Sequence, residues 1–184
     1  MLKTATEVLE ALITSKTRIK LLLKFFLNTG NTSYLRDLAS EFGESTNAIR
    51  IELNRMEAAG LLDAQRSGNK KIFKANTNHP LFDGIRQLLM QHTGIEHIVD
   101  KVVKNLGGLH SAYVINSFAR GRDGRLIELL LLGNNLDERY LQRMITKAEA
   151  LSGRKIEYVL LHPAEASDAL KKHPEALLLW QNGQ

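Results

Sequence analysis

Between Ser45 and Arg55 the chain places Ser45, Thr46, Asn47, Arg50, Asn54 and Arg55 at spacings that gather them on the outer side of one helix. Arginine can form two parallel hydrogen bonds to a guanine edge, and asparagine can do the same to adenine. Arg50 suits the first pairing, and Asn47 or Asn54 the second. Ser45 and Thr46 stand at the helix start, where backbone N–H groups can hold a phosphate. A second cluster follows. Arg66, Lys70 and Lys71 flank the small residues Ser67, Gly68 and Asn69, so their charges can approach a sugar–phosphate backbone or a minor groove. The competing reading is a polar outer face that meets only solvent or another protein.

The surrounding pattern supplies elements to position these groups. Ile19, Leu22, Leu23 and Phe26 recur at helical spacing, so the sequence predicts a helix from Thr14 to Leu27. Lys16, Arg18, Lys20 and Lys24 fill much of its other face. Asn28-Thr29-Gly30-Asn31 stops it. Ser33 is expected to cap a second helix, Tyr34 to about Phe42, with an apolar stripe of Leu35, Leu38, Ala39 and Phe42. Gly43 gives a tight turn. Ser45 or Thr46 caps a third helix that reaches Ala59, with Ala48, Ile49, Leu53 and Met56 inward. Gly60 ends it. Leu61 to Arg66 and Lys70 to Asn76 read as a hairpin tipped by Ser67-Gly68-Asn69.

Helix, helix, turn, helix, hairpin is the winged-helix order. The segment "YLRDLASEFGESTNAIRIELNRMEAAGLLDAQRSGNKKIFKAN" resembles the winged helix-turn-helix domain of ArsR-like regulators, most closely from Tyr34 to Phe73. That resemblance implies binding of double-stranded DNA, usually as a homodimer on a two-fold site. The family's metal-sensing members use Cys or His clusters. This chain has no cysteine, and His79, His92, His97, His110, His162 and His173 are scattered without ligand spacing. No metal and no cofactor are therefore expected.

The second half alternates differently. Pro80 can open a helix from Leu81 to about Gln91, and Ile95 to Leu106 reads as another. Gly107-Gly108 breaks the chain. Ser111 to Ile115, Leu126 to Leu132 and Ile156 to Leu161 read as strands, with a helix over Asp137 to Leu151. Pro163 opens a helix that Pro174 breaks, and Glu175 to Trp180 favours a last strand over a helical turn.

"SAYVINSFARGRDGRLIELLLLG", Ser111 to Gly133, resembles the core motif of minimal nucleotidyltransferases of the DNA polymerase β type. The likeness extends over about Ile95 to Leu161. In that family a Gly-Ser turn cradles phosphates, and two acidic residues one apart on the next strand hold divalent ions. Ser117-Phe118-Ala119-Arg120-Gly121 is kept. Asn116 stands where the first glycine belongs, Leu126 where the first carboxylate belongs, and Glu128 in place of the second. Asp123 lies nearby at a different spacing. Leucine cannot ligate Mg2+, so no catalytic residue is assigned. The resemblance makes Ser117, Arg120 and Glu128 candidates for a vestigial nucleotide-binding set. In the plainer reading they are structural: Ser117 caps a helix, and Arg120 pairs with Glu128 or Asp123.

Bulk properties bound these readings. The 184 residues carry a net charge of +5. Residues 1–92 hold 13 Lys and Arg against 9 Asp and Glu, and residues 93–184 hold 12 against 11. The excess thus sits in the half with the winged-helix pattern. No apolar run approaches the roughly 20 residues needed to span a bilayer. Met1 to Glu10 lacks the apolar stretch of a secretory signal. The lack of cysteine fits a reducing, cytoplasmic setting.

The expectation is an α+β chain. Residues 1–92 form a winged helix-turn-helix domain with its following helix. Residues 93–184, after a helical linker, form a small α/β nucleotidyltransferase-like domain with a mixed sheet. The expected function is that of a sequence-specific transcription regulator on double-stranded DNA, homodimeric and non-enzymatic, with any effector open. The alternatives are an antitoxin-like nucleotidyltransferase, or a nucleotide-sensing or protein-interaction module.

Overall fold

Four buried side chains, Ile19, Leu22, Leu23 and Phe26, form the stripe around which the first helices pack. The structure is a computed structural model that describes residues 5–122 and 124–182, with side chains from residue 9 onward. Its fold is α+β and has two compact units, Met1–Leu89 and Met90–Gln184.

The first unit begins with α1 (Ala5–Leu12), which the sequence reading did not anticipate. Ser15 caps α2 (Lys16–Leu22) by accepting the Arg18 N–H at 3.2 Å. The helix then widens into one π turn, Leu23–Leu27, whose five residues are all buried. Asn31 donates its amide to the Lys24 carbonyl at 2.8 Å, satisfying a backbone acceptor within that turn. Phe26 stacks on Phe82, with ring centroids 5.2 Å apart.

Ser33 does not cap a helix. Ser33 and Tyr34 form β1, paired antiparallel with Phe73 and Ile72. Sheet pairing takes up the backbone of Ser33, so α3 (Leu35–Phe42) starts from Tyr34 without a side-chain cap. Gly43, at φ +65°, closes α3 in the left-handed region that glycine tolerates best. This turn delivers the chain to Ser45, whose hydroxyl accepts the Ala48 N–H and starts α4 (Thr46–Ala58). Ile49, Leu53 and Met56 face inward.

β2 (Leu62–Ser67) and β3 (Lys70–Ala75) pair antiparallel from Leu62↔Ala75 to Ser67↔Lys70. Gly68 (φ +63°) and Asn69 make the two-residue turn. The sheet order is β1-β3-β2, so the hairpin is anchored at one edge by β1.

Three of the cations on the basic side of α2 and its π turn are paired with carboxylates. Arg18 donates to Glu52 at 2.8 Å, Lys20 to Glu44 at 2.5 Å, and the buried Lys24 pairs with Glu41 at 3.0 Å. Thr17 also donates to Glu44. Arg55 reaches the second oxygen of Glu52 at 3.3 Å. Three contacts thus tie α2 and its π turn to α3, to the α3–α4 turn and to α4.

α5 (Phe82–Thr93) carries the chain into the second unit. There α6 (Ile95–Lys101) and a 3-10 turn lead to β4 (Leu109–Ile115). The one-turn helix α7 (Asn116–Ala119) leads to β5 (Leu126–Gly133). Then come α8 (Glu138–Ser152), β6 (Lys155–Leu161), α9 (Ala166–Lys172) and β7 (Leu177–Gln181).

The sheet order is β6-β5-β4-β7. β5 and β6 are parallel, as a connection through α8 requires, and the other pairs are antiparallel. The sheet is therefore mixed. Leu130 and Leu132 pack with Ile115 and Ala169 of α9. Leu129 and Leu131 alternate to the other face and are fully buried too. Burial on both faces explains the unbroken leucine run.

Burial raises the Glu52 carboxyl, but hydrogen bonds from Arg18 and Ser15 and the charges of Arg18 and Arg55 outweigh it. Its pKa lies below the usual glutamate value. Glu44 is lowered likewise: Lys20 and Thr17 overcome its burial. A carboxylate lowered in the folded state stabilises fully above its unfolded pKa and loses that contribution as pH falls through the folded one. Glu52→Gln should destabilise the protein at pH 7 by about 1–3 kcal/mol in urea melts. The deficit should shrink only as pH falls below the ordinary glutamate range and through the lowered folded-state value, where wild type becomes protonated as well.

Candidate functional site

All nine residues named for DNA contact (Ser45, Thr46, Asn47, Arg50, Asn54, Arg55, Arg66, Lys70 and Lys71) are exposed. Four of them converge. Arg50, Asn54, Lys70 and Lys71 line a groove of about 500 Å3, open to solvent, between α4 and the hairpin. Leu53 and Phe73 give it apolar lining. Ser45, Thr46, Asn47, Arg55 and Arg66 lie outside that lining.

The groove also recruits residues that the sequence reading missed. Tyr34, Arg36, Asp37 and Asn69 complete much of its wall. Lys70 sits 5.5 Å from the Tyr34 ring centroid, which ties the hairpin's basic side chain to β1. Tyr34 and Arg36 read in sequence as members of an apolar-striped helix. Only the pairing of β1 with β3 brings them beside Lys70, and no local spacing announces that pairing.

The cations differ in how far they are neutralised. Arg36, Arg50 and Arg66 have no carboxylate partner among the described residues. Lys71 is paired with Glu57 at 2.6 Å, and Arg55 with Glu52. Chemically, the groove presents two guanidinium groups, two amides, two lysines and one carboxylate, Asp37, around an apolar base. That set can accept an anionic backbone and hydrogen-bond a base edge.

In the second unit the turn after β4 holds a different set. Asn116, at the expected glycine position, adopts φ +58°. It keeps the left-handed backbone, which asparagine tolerates better than most residues. Its side-chain amide donates to Glu128 at 2.7 Å, and its backbone N–H donates to Glu175 at 3.1 Å. Arg120 pairs with Glu175 at 3.5 Å, not with Glu128. Asp123, the other expected partner, lies outside the described residues. Ser117 does not cap: α7 has no side-chain cap, and Ser117 is exposed within it. His173 approaches Glu175 at 3.4 Å.

Glu175 is thus the hub that the sequence concealed, 59 residues from Asn116. Burial raises its carboxyl. Hydrogen bonds from its own backbone N–H and that of Asn116, the Arg120 charge and His173 outweigh that and hold it below the usual range.

A two-ion centre does not fit these residues. Leu126 precedes Glu128 on β5, Glu128 is engaged by Asn116, and the neighbouring carboxylate is Glu157 on β6, in register with Glu128. Among the described residues no group of three His, Cys, Asp or Glu could hold a metal ion. No helix of the described residues is long and apolar enough to cross a membrane.

The left-handed Asn116 separates two contributions. Asn116→Ala should cost about 1–2 kcal/mol more than Asn116→Gly, since only glycine holds that backbone without strain. Both lose the Glu128 hydrogen bond. Thermal melts of the two variants side by side measure the backbone part alone, and equal stability would refute it.

The sequence matches no family profile, and no curated protein is significantly similar to it. Solved structures similar to parts of the chain include reduced HlyU from Vibrio cholerae, 17% identical, covering 47% of this chain and 85% of its own, with a TM-score of 0.36. AF1382 from Archaeoglobus fulgidus is 18% identical, with coverages of 50% and 92% and a TM-score of 0.36. A protein provisionally described as a nucleotidyltransferase, from Sulfolobus solfataricus, is 18% identical, with coverages of 50% and 82% and the same TM-score.

Proposed function

We propose that this protein is a sequence-specific, double-stranded-DNA-binding transcription regulator. In this reading α4 lies in the major groove, and the hairpin meets the backbone or minor groove. The observation that carries it is the sorting of charge on the first unit. Three basic residues of α2 and the π turn are neutralised by Glu41, Glu44 and Glu52. Arg36, Arg50 and Lys70, which have no carboxylate partner among the described residues, line one groove with Asn54 and Asn69. An acidic polymer with hydrogen-bonding edges is the ligand that this combination suits.

The reading further takes the protein to act in the cytoplasm as a homodimer, with residues 1–92 as the DNA-binding domain. Residues 93–184 would serve assembly or sensing and not catalysis. Glu175 holds the turn after β4 through Asn116 and Arg120, and Leu126 leaves no paired carboxylates on β5.

Arg50→Ala should weaken binding to a selected duplex by about 1–3 kcal/mol and relax preference at one base position. Titrations of wild type and variant across point-substituted duplexes read both effects. Lys70→Ala should weaken all sequences alike and reduce the slope of log K against log salt by about one. Lys71→Ala should change the slope less, because Glu57 already holds that charge.

A nucleotidyltransferase reading draws on the retained turn Ser117–Gly121 and the adjacent Glu128 and Glu157. It requires Mg2+-dependent nucleotide transfer that vanishes in Glu128→Gln. Under the reading proposed here, radiolabelled nucleotide incorporation stays at background in wild type.

A further inference from the structure

Ile51 sits in the middle of the outward face of α4 and is 43% exposed. Asn47 lies one turn before it and Asn54 one turn after, with Arg50 and Arg55 to either side, all exposed. The helix's other large apolar residues, Ile49, Leu53 and Met56, are buried. Single exposed apolar residues are common on protein surfaces. This one stands at the centre of four side chains able to hydrogen-bond base edges. Nor does local stability favour it, since a β-branched residue is a poorer helix former than alanine, leucine or a charged residue.

The major-groove edge of a base pair offers one apolar group, the thymine C5-methyl. Resting on the DNA-binding reading above, we infer that Ile51 is a specificity-determining residue that packs on a thymine methyl. The flanking asparagines and arginines engage the neighbouring hydrogen-bonding edges. Ile51 adds no hydrogen bond and no charge. It discriminates thymine from cytosine at one position through burial of a methyl against a branched aliphatic side chain.

The test uses the full chain and a duplex selected from a random pool. Each thymine of that duplex is replaced singly by deoxyuridine, which removes the methyl and leaves every hydrogen-bonding group in place. Dissociation constants are then measured for wild type and Ile51→Ala. At one position the replacement should weaken wild type about fourfold, the worth of one buried methyl at ~0.8 kcal/mol. Ile51→Ala should bind the thymine duplex more weakly and be indifferent to uracil at that same position.

The inference is overturned if no thymine shows the effect, or if Ile51→Ala keeps the wild-type sensitivity. Binding that depends on Arg50 but ignores every methyl would sink the Ile51 assignment and leave the DNA reading standing. Failure of the pool to yield any preferred duplex would remove both.

Discussion

The carboxylate of Glu52, closed between Arg18 and Arg55, is the contact on which the surface chemistry of the first unit depends. α2 and its π turn carry a dense row of cations, which unpaired would repel one another. Glu52, with Glu44 and Glu41, converts that row into attachments between helices. Each of the three glutamates is at most one-fifth exposed, so water screens these pairs less than it would at the surface. The attachments fix α4 against α2, and α4 presents Arg50, Asn54 and Ile51. The same ion pairs that hold the fold therefore also decide where free charge is left.

Glu175 plays a comparable part in the second unit with a different outcome. It gathers a backbone N–H, a guanidinium and an imidazole around a buried carboxylate. The groups that a Gly-Ser turn would offer to a phosphate are here turned on the protein's own side chain. Asn116 completes this by bonding Glu128 across the turn. The result is a set of polar groups turned inward onto Glu175 and Glu128.

Most elements were legible because their signals are local. The stripe of α4, the cap at Ser45, Gly43 and the hairpin tip each act within a few residues, and Leu126 to Leu132 declared itself as a strand by its apolar run. The misses are nonlocal. Ser33 looked like a helix cap, and only its partner Phe73, far along the chain, makes it a strand. No local signal singles out Glu52 or Glu175, because the partners Arg18 and Asn116 lie 34 and 59 residues away. Arg120 was matched to nearby carboxylates for the same reason. Of the candidate contact residues, the helix and hairpin clusters were visible separately. Tyr34 and Arg36, which join them into one groove, were not.

β1 is only two residues long, yet it borders the strand that carries Lys70 and Lys71. With β1 on one side and β2 on the other, β3 has both of its edges hydrogen-bonded near Ile72 and Phe73. The middle of β3 is thereby held on both edges by backbone hydrogen bonds, and only the turn at Gly68 and Asn69 projects beyond paired backbone. A partner docking in the groove would meet a surface whose shape is largely set in advance. Little conformational entropy would then be lost on association, and more of the contact energy would remain as affinity.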